Sequence, residues 1–510
     1  MFRNSNAAYV VWALLLAGAN LSQAQHAAPQ GVYAKIYIED AIDSYKGNPA
    51  NLHGHLQKLY KDLLKNPAIS GISVGFHWDL VSLSKKNPSV LGPVHVFGGY
   101  DWSWLEDVFQ SVGSGQTVQL LITPGFDTPQ WVLDELQPCD PFFTMGSDET
   151  GCGEATFTGF KESQRADGTV LPLPWNDVYQ QAWLGFLVDL RDQWFYNYPS
   201  WVAIALTGPI AASNEMILST LETDTTKQLG GLDVETYWND LLSLDFKVSH
   251  PGYLGNNEAL IKHWNQVIDG YETIFPGLTM IVSPDAGNYW PYQEDPAQPH
   301  ADNTVYTNLQ DCSRNASVSC EAKTDILSHL VAAQGANGKA TRVGGMTAST
   351  DTNPGDIGIT GVKLLTSAYP GILGGAEFNH PVSGRHHRQE VGCPSTAEDC
   401  TLIDLTPEAA AYNVLAVFFD QTEAYPYYSE VLAGSTSHKQ PLSSGSRTIQ
   451  YLEVPFLDVE YATENPCPPV PRNPTLGKRS LQDLLNHASY DFIVMNDPHL
   501  FPQLPPATCP

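Results

Sequence analysis

Short apolar runs alternate with segments of helical period along most of the chain. The first run, "GVYAKIYIED" (31–40), is β-branched and aromatic. "LHGHLQKLYKDLLKN" (52–66) follows with apolar positions three and four residues apart, so a strand leads into an amphipathic helix. The beat repeats. "ISGISVGFHWDLV" (69–81) precedes "DWSWLEDVFQSVG" (101–113), where Asp101 is placed to cap a short helix, and "TVQLLITPG" (117–125) ends in "GFDTPQWVL". A Cys-bracketed, Gly-rich insertion reaches residue 172 before 176–197 regains helical spacing and "WVAIALTGP" (201–209) supplies a fourth run. Runs five to eight are 277–287, 340–350, 370–381 and 448–462. Helical patterns at 234–242, 257–275, 324–336, 356–369, 407–428 and 479–493 lie between and after them, with Pro407 near a first turn.

Eight strand-like runs, each followed by helical sequence, predict an α/β fold of the (β/α)8 TIM-barrel type with long, disulfide-closed loop insertions. Apolar runs without strict alternation suit parallel strands covered on both faces. An open doubly wound sheet is the rival. No G-x-G-x-x-G or G-x-x-x-x-G-K-[ST] follows any run, which removes the commonest nucleotide cofactors from consideration, and no cofactor is expected. No internal repeat or dividing linker appears, so residues 25–510 are expected to form one domain with a C-terminal tail tied back by a disulfide.

Composition sharpens this picture. A chain of 510 residues with 42% apolar content is long enough for one large core plus insertions. Arg3, an apolar run from Tyr9 to Ala19 and small residues up to Ala24 read as a secretory signal cleaved after Ala24, which predicts a secreted or periplasmic protein. No later stretch approaches the roughly 18 apolar residues of a membrane span, so no membrane partner is expected. The eight cysteines separate into neighbours: Cys139 and Cys152, Cys312 and Cys320, Cys393 and Cys400, Cys467 and Cys509. Tight C-x2-C pairs with nearby histidines are missing, so structural disulfides are expected and no metal. The pairing by proximity is one of many possible. The adjacent histidines of "GRHHRQE" (Arg385 to Glu390) read as a solvated loop at the cleft edge. A net charge of -29 repels phosphate backbones and argues against nucleic acid. Neutral glycans remain, and 12 Trp and 23 Tyr provide rings for them.

In such a barrel the chemistry gathers at the carboxyl ends of the strands. Those positions hold Glu39 and Asp40, then His77, Trp78 and Asp79, then Phe126, Asp127 and Trp131. Asn214 and Glu215 follow the fourth run, and Asp285, Asn288, Tyr289 and Trp290 the fifth. Thr347 and Ser349 follow the sixth, Glu377, Asn379 and His380 the seventh, and Glu453 and Asp458 lie in the eighth. Carboxylates, amides and aromatic rings in one cleft suit a sugar subsite. His77, Trp78, Asp127, Trp131, Tyr289, Trp290 and His380 are the candidate carbohydrate contacts beside Asn214.

The Asn-Glu pair after the fourth run, with a second glutamate at the end of the seventh, resembles clan A of the retaining glycoside hydrolases. The resemblance implies a TIM barrel acting on β-glycosides, with Glu215 as acid/base, Asn214 on the substrate's 2-hydroxyl and Glu377 as nucleophile. Two features of that pattern are absent: the second run carries no arginine, and the eighth offers only Phe456 or Tyr461 as an aromatic. Double displacement needs one protonated and one ionised carboxyl about 5 to 5.5 Å apart. A barrel that binds glycans without cleaving them is the alternative. Esterase or metalloamidase chemistry lacks its usual signatures: the one G-x-S-x-G, Gly71 to Gly75, lies inside the second apolar run and not at a strand-to-helix elbow, and no H-E-x-x-H occurs.

Overall fold

The computed structural model describes residues 26–83, 99–139, 152–157, 169–208, 256–282, 326–333, 342–348, 373–378, 381, 383, 387–391, 401–405, 407–408, 411, 415, 449–465 and 480–494. Strands β1 Gly31–Tyr37, β2 Ile69–His77 and β3 Thr117–Thr123 come first, then β4 Glu154–Phe157 and β5 Thr169–Pro172. They are followed by β6 Trp201–Ala205, β7 Thr279–Ile281, β8 Arg342–Ala348 and β9 Leu373–Phe378. The last are β10 His387–Val391, β11 Thr401–Leu405 and β12 Ile449–Pro455.

All eight predicted runs contribute a strand to one parallel sheet, ordered β7-β6-β3-β2-β1-β12-β9-β8. Followed around, this is the chain order of the runs, with the last strand paired to the first. The edges are therefore the fifth and sixth, β7 and β8, and their Cα atoms approach within 8 Å. The sheet has two chemically different faces because side chains alternate along each strand. Val32, Ala34 and Ile36 of β1, with Ile72, Val74 and Phe76 of β2, pack into the large core shared with the helices. Tyr33, Ile281 and Tyr451 cluster on the opposite, inner face. Glycine makes room for rings there: a Cβ on Gly75 would run into the Tyr37 ring, and one on Gly375 into the Tyr451 ring, each from the neighbouring strand.

The helices cover the outer face. Leu52–Leu64 buries Leu56, Leu59, Tyr60 and Leu63, the stripe its spacing predicts. Ser103–Ser111 starts where Asp101 accepts the Ser103 backbone N–H at 3.1 Å. Asn176 caps Asp177–Arg191 by accepting from the N–H groups of Val178 and Tyr179. No described helix is long and apolar enough to cross a membrane.

Three boundaries differ from the sequence reading. The eighth run is strand only to Pro455, and Phe456–Glu464 is a helix. Phe456, Val459 and Ala462 form its buried stripe at three-residue steps, and buried Asp458 accepts from the Ser383 N–H and Oγ at 2.7 and 2.6 Å. The first run turns helical at Ile38, and the second forms a single turn, Trp78–Val81. "GRHHRQE" is not simply a loop, because His387–Val391 pairs antiparallel with Thr401–Leu405. The insertion after β3 contains the Cys139–Cys152 bond, with Cα atoms 4.9 Å apart, and the antiparallel pair β4–β5. The N-terminal segment to residue 25, the six other cysteines, the 234–242 and 356–369 segments and most of 407–428 lie outside the described residues.

Candidate active site

The inner face gathers charge where β1, β12 and β9 run side by side. Glu453 of β12 aligns with Tyr33 on one side and with Glu377 on the other. Residues aligned on neighbouring parallel strands point the same way, with backbones about 4.8 Å apart, so the two carboxyl groups are adjacent. Lys35, two positions beyond Tyr33, reaches past β12 and places its Nζ on Oε2 of Glu377 in an ion pair. Both partners are mostly buried, at 16% and 14% side-chain exposure. Ser73 of β2 donates its hydroxyl to Glu453 Oε1 at 2.9 Å.

Burial pushes the Glu453 carboxyl up to about 7. The Lys35 ammonium pulls it back, neighbouring Glu377 raises it again, and the Ser73 hydroxyl lowers it. For Lys35, burial alone would lower the pKa. Glu377, Tyr37 and Glu453 reverse that and hold the ammonium charged well above the usual lysine range. Its Nζ also lies 5.5 Å from the centre of the Tyr37 ring.

A second group sits at the carboxyl ends of β1, β2 and β3. The His77 backbone N–H donates to Glu39 Oε1 at 2.8 Å, and His77 Nδ1 lies 3.6 Å from Asp127 Oδ1. Asp127 Oδ2 accepts from Thr123 Oγ1 at 3.2 Å, so the strand end itself orients that carboxylate. Burial raises Glu39, against the pull of the His77 N–H. His77, Asp79 and Asp127 each bring one ligand atom within 4.8 Å of the others, the spacing at which a cation can be shared.

The structure brings together His77 and Asp127, and it places Trp131 and Trp78 behind them. Trp78 is fully buried, its ring 5.0 Å from Trp183 and 6.3 Å from Trp131. The turn Trp78–Val81 swings that indole inward, so it packs beneath the mouth instead of offering a face to a sugar. Trp131 is 3% exposed and donates its Nε1–H to Ser82 Oγ at 2.8 Å. Glu377 is paired with Lys35, a partner the sequence did not single out. Its signal is positional: residues 33, 35 and 37 share the inner face of β1, and a lysine there has no water-facing side to occupy. Glu215, Asn214, Tyr289, Trp290 and His380 lie outside the described residues.

No protein-family model matches the chain, and no curated protein matches it. Among solved structures it is similar to an endo-β1,6-glucanase at 12% identity and TM-score 0.33, covering 71% of this chain and 60% of that one. It is similar to a β-galactosidase from the psychrophilic Marinomonas ef1 at 11% identity and TM-score 0.37, covering 92% and 60%. A third, the GH42 β-galactosidase Gan42B, matches at 12% identity and TM-score 0.27, covering 69% and 40%. The chain thus spans 60% of the length of the first two and 40% of the third.

Proposed function

We propose that the chain is an exported retaining glycoside hydrolase that cleaves β-glycosidic bonds, with Glu377 as nucleophile and Glu215 as acid/base. In this reading residues 25–510 close into one (β/α)8 barrel. The observation that carries it is the place and pairing of Glu377. It stands near the carboxyl end of the seventh strand in a sheet whose order follows the eight runs cyclically, with its carboxylate gripped by Lys35. A carboxylate buried at that end of a parallel sheet, against a fixed cation, is oriented to attack.

Glu377 attacks the anomeric carbon while Glu215 protonates the departing oxygen. Water, activated by Glu215, then hydrolyses the glycosyl ester. His77, Asp127 and Glu39, at the carboxyl ends of β1, β2 and β3, offer hydrogen-bonding partners for sugar hydroxyls. The mechanism calls on no cofactor. The leader-like N-terminus and the Cys139–Cys152 bond support export, since disulfides persist in oxidising compartments.

The test is hydrolysis of a panel of aryl β-glycosides, with the first-formed anomer followed by proton NMR. Retention is expected. Glu215→Ala with azide should yield the β-glycosyl azide, and Glu377→Ala with azide the α-product. Initial inversion overturns double displacement. Glycan binding without turnover on any substrate of the panel supports instead a non-catalytic glycan-binding barrel.

A further inference from the structure

We propose that Lys35 and Glu453 are positioning residues for Glu377: the ammonium holds one carboxylate oxygen, and Glu453, in its acid form, donates its proton to the same carboxylate. Together they fix the plane in which the remaining lone pairs face the sugar. The inference rests on the reading of Glu377 as nucleophile.

The register supplies the argument. Glu453 and Glu377 are aligned partners on adjacent parallel strands, so their carboxyl groups share one face of the sheet at strand spacing. Two carboxylates so close and so buried cannot both ionise cheaply. Among the described residues the cation at this cluster is Lys35, and it sits on Glu377 Oε2. Ser73 donates to Glu453 Oε1, which leaves the other oxygen of Glu453 to carry a proton toward Glu377. Lys35 positive, Glu377 negative and Glu453 neutral sum to zero, the arrangement a buried site tolerates best.

Neither positioning residue exchanges a proton with the sugar. During attack, a Glu377 lone pair forms the bond to the anomeric carbon, the bond to the leaving oxygen breaks, and that oxygen takes the proton of Glu215. When Glu453 loses its proton to solvent, two carboxylates compete for Lys35 and Glu377 is no longer held. Among the described residues, the charged and titratable groups on the face of this cluster are Tyr33, Lys35 and Tyr37 from β1, Glu377 from β9 and Tyr451 from Glu453's own strand, with the Ser73 hydroxyl from β2.

The experiment pairs a spectroscopic titration with kinetics on the full chain. Infrared difference spectra should show a protonated-carboxyl band that disappears near neutral pH in the wild type and is missing in Glu453→Gln. On a p-nitrophenyl β-glycoside that the wild type cleaves, Lys35→Met should lower kcat about 100-fold with KM changed less than about 3-fold. Glu453→Ala should lower kcat about 30-fold, and Glu453→Gln, which keeps a donor, should recover about 10-fold of that loss and extend the alkaline limb. Absence of the Glu453 band, or a Glu453→Ala enzyme with wild-type kcat and pH profile, overturns the proposal. If Lys35→Met fails to fold, the Glu453 pair decides alone. Full turnover by Glu377→Gln instead brings down the nucleophile assignment, and the positioning role with it, even where the infrared band is present.

Discussion

Lys35 Nζ and Glu377 Oε2 form an ion pair across 342 positions of sequence, from the first and seventh strands of one parallel sheet, with the eighth strand between them. The contact exists because β12 closes against β1. Without that closure the two residues lie toward opposite edges of the sheet.

Glu377→Gln removes the carboxylate while preserving its shape. Hydrolysis should fall at least about 1,000-fold, as expected when a group needed only for bond formation is lost. Lys35 then turns to Glu453, whose carboxyl should titrate lower than in the wild type because Glu377 no longer raises it. Steady-state kinetics and an infrared titration check the two halves separately.

Glu453 also links stability to pH. Its folded-state pKa is raised from about 4.5 to about 7, so the folded chain holds a proton that the unfolded chain releases. The contribution is fully present below about pH 4.5 and is lost as pH rises toward about 7, amounting to at most about 3 kcal/mol. Urea denaturation midpoints of Glu453→Gln should change less across that window than those of the wild type. Parallel pH curves for both proteins would falsify this linkage.

Trp78 separates a packing role from a sugar-binding one. Fully buried against Trp183, Tyr179 and Phe186, it should cost about 3 to 5 kcal/mol when truncated to alanine. Trp78→Phe should lower the melting temperature while leaving KM within about 2-fold. A large KM change with unchanged melting would restore the ring to the substrate cleft.

Asn176→Ala should destabilise by about 1 kcal/mol, because its side chain satisfies two N–H groups at the start of Asp177–Arg191. The midpoint of denaturation is the readout. Restoration by Asp or Ser, but not by Leu, identifies the cap as the cause.

The eight strands were legible because parallel strands covered on both faces read as unbroken apolar runs, and "WVAIA" and "TVQLLIT" are such runs. The helix after β12 was not. "FLDVEYA" mixes aromatic and β-branched residues that favour strand locally, while the packing of Phe456, Val459 and Ala462 selects helix. Glu377 stands out by its place at the end of the seventh run, and it lies one residue before Phe378, the last of that strand. Lys35 could not be weighed the same way, since "GVYAKIYIED" shows one lysine among apolar residues and its meaning depends on a carboxylate hundreds of residues later. Trp78 is carried into the core by a single turn of helix. Position after a strand says that a side chain is near the mouth, and backbone direction decides whether it looks out or in.

The shared row of Tyr33, Glu453 and Glu377 has a consequence for how the chain reaches this state. A slip of β12 by one residue would carry Glu453 from the inner face into the layer where Leu452 and Val454 pack with the helices, leaving a carboxyl group in oil and Lys35 with one partner fewer. The last strand to be synthesised is thus checked by charge against the first. Misaligned closure is disfavoured by the same two groups, Lys35 and Glu453, that flank Glu377 in the finished sheet.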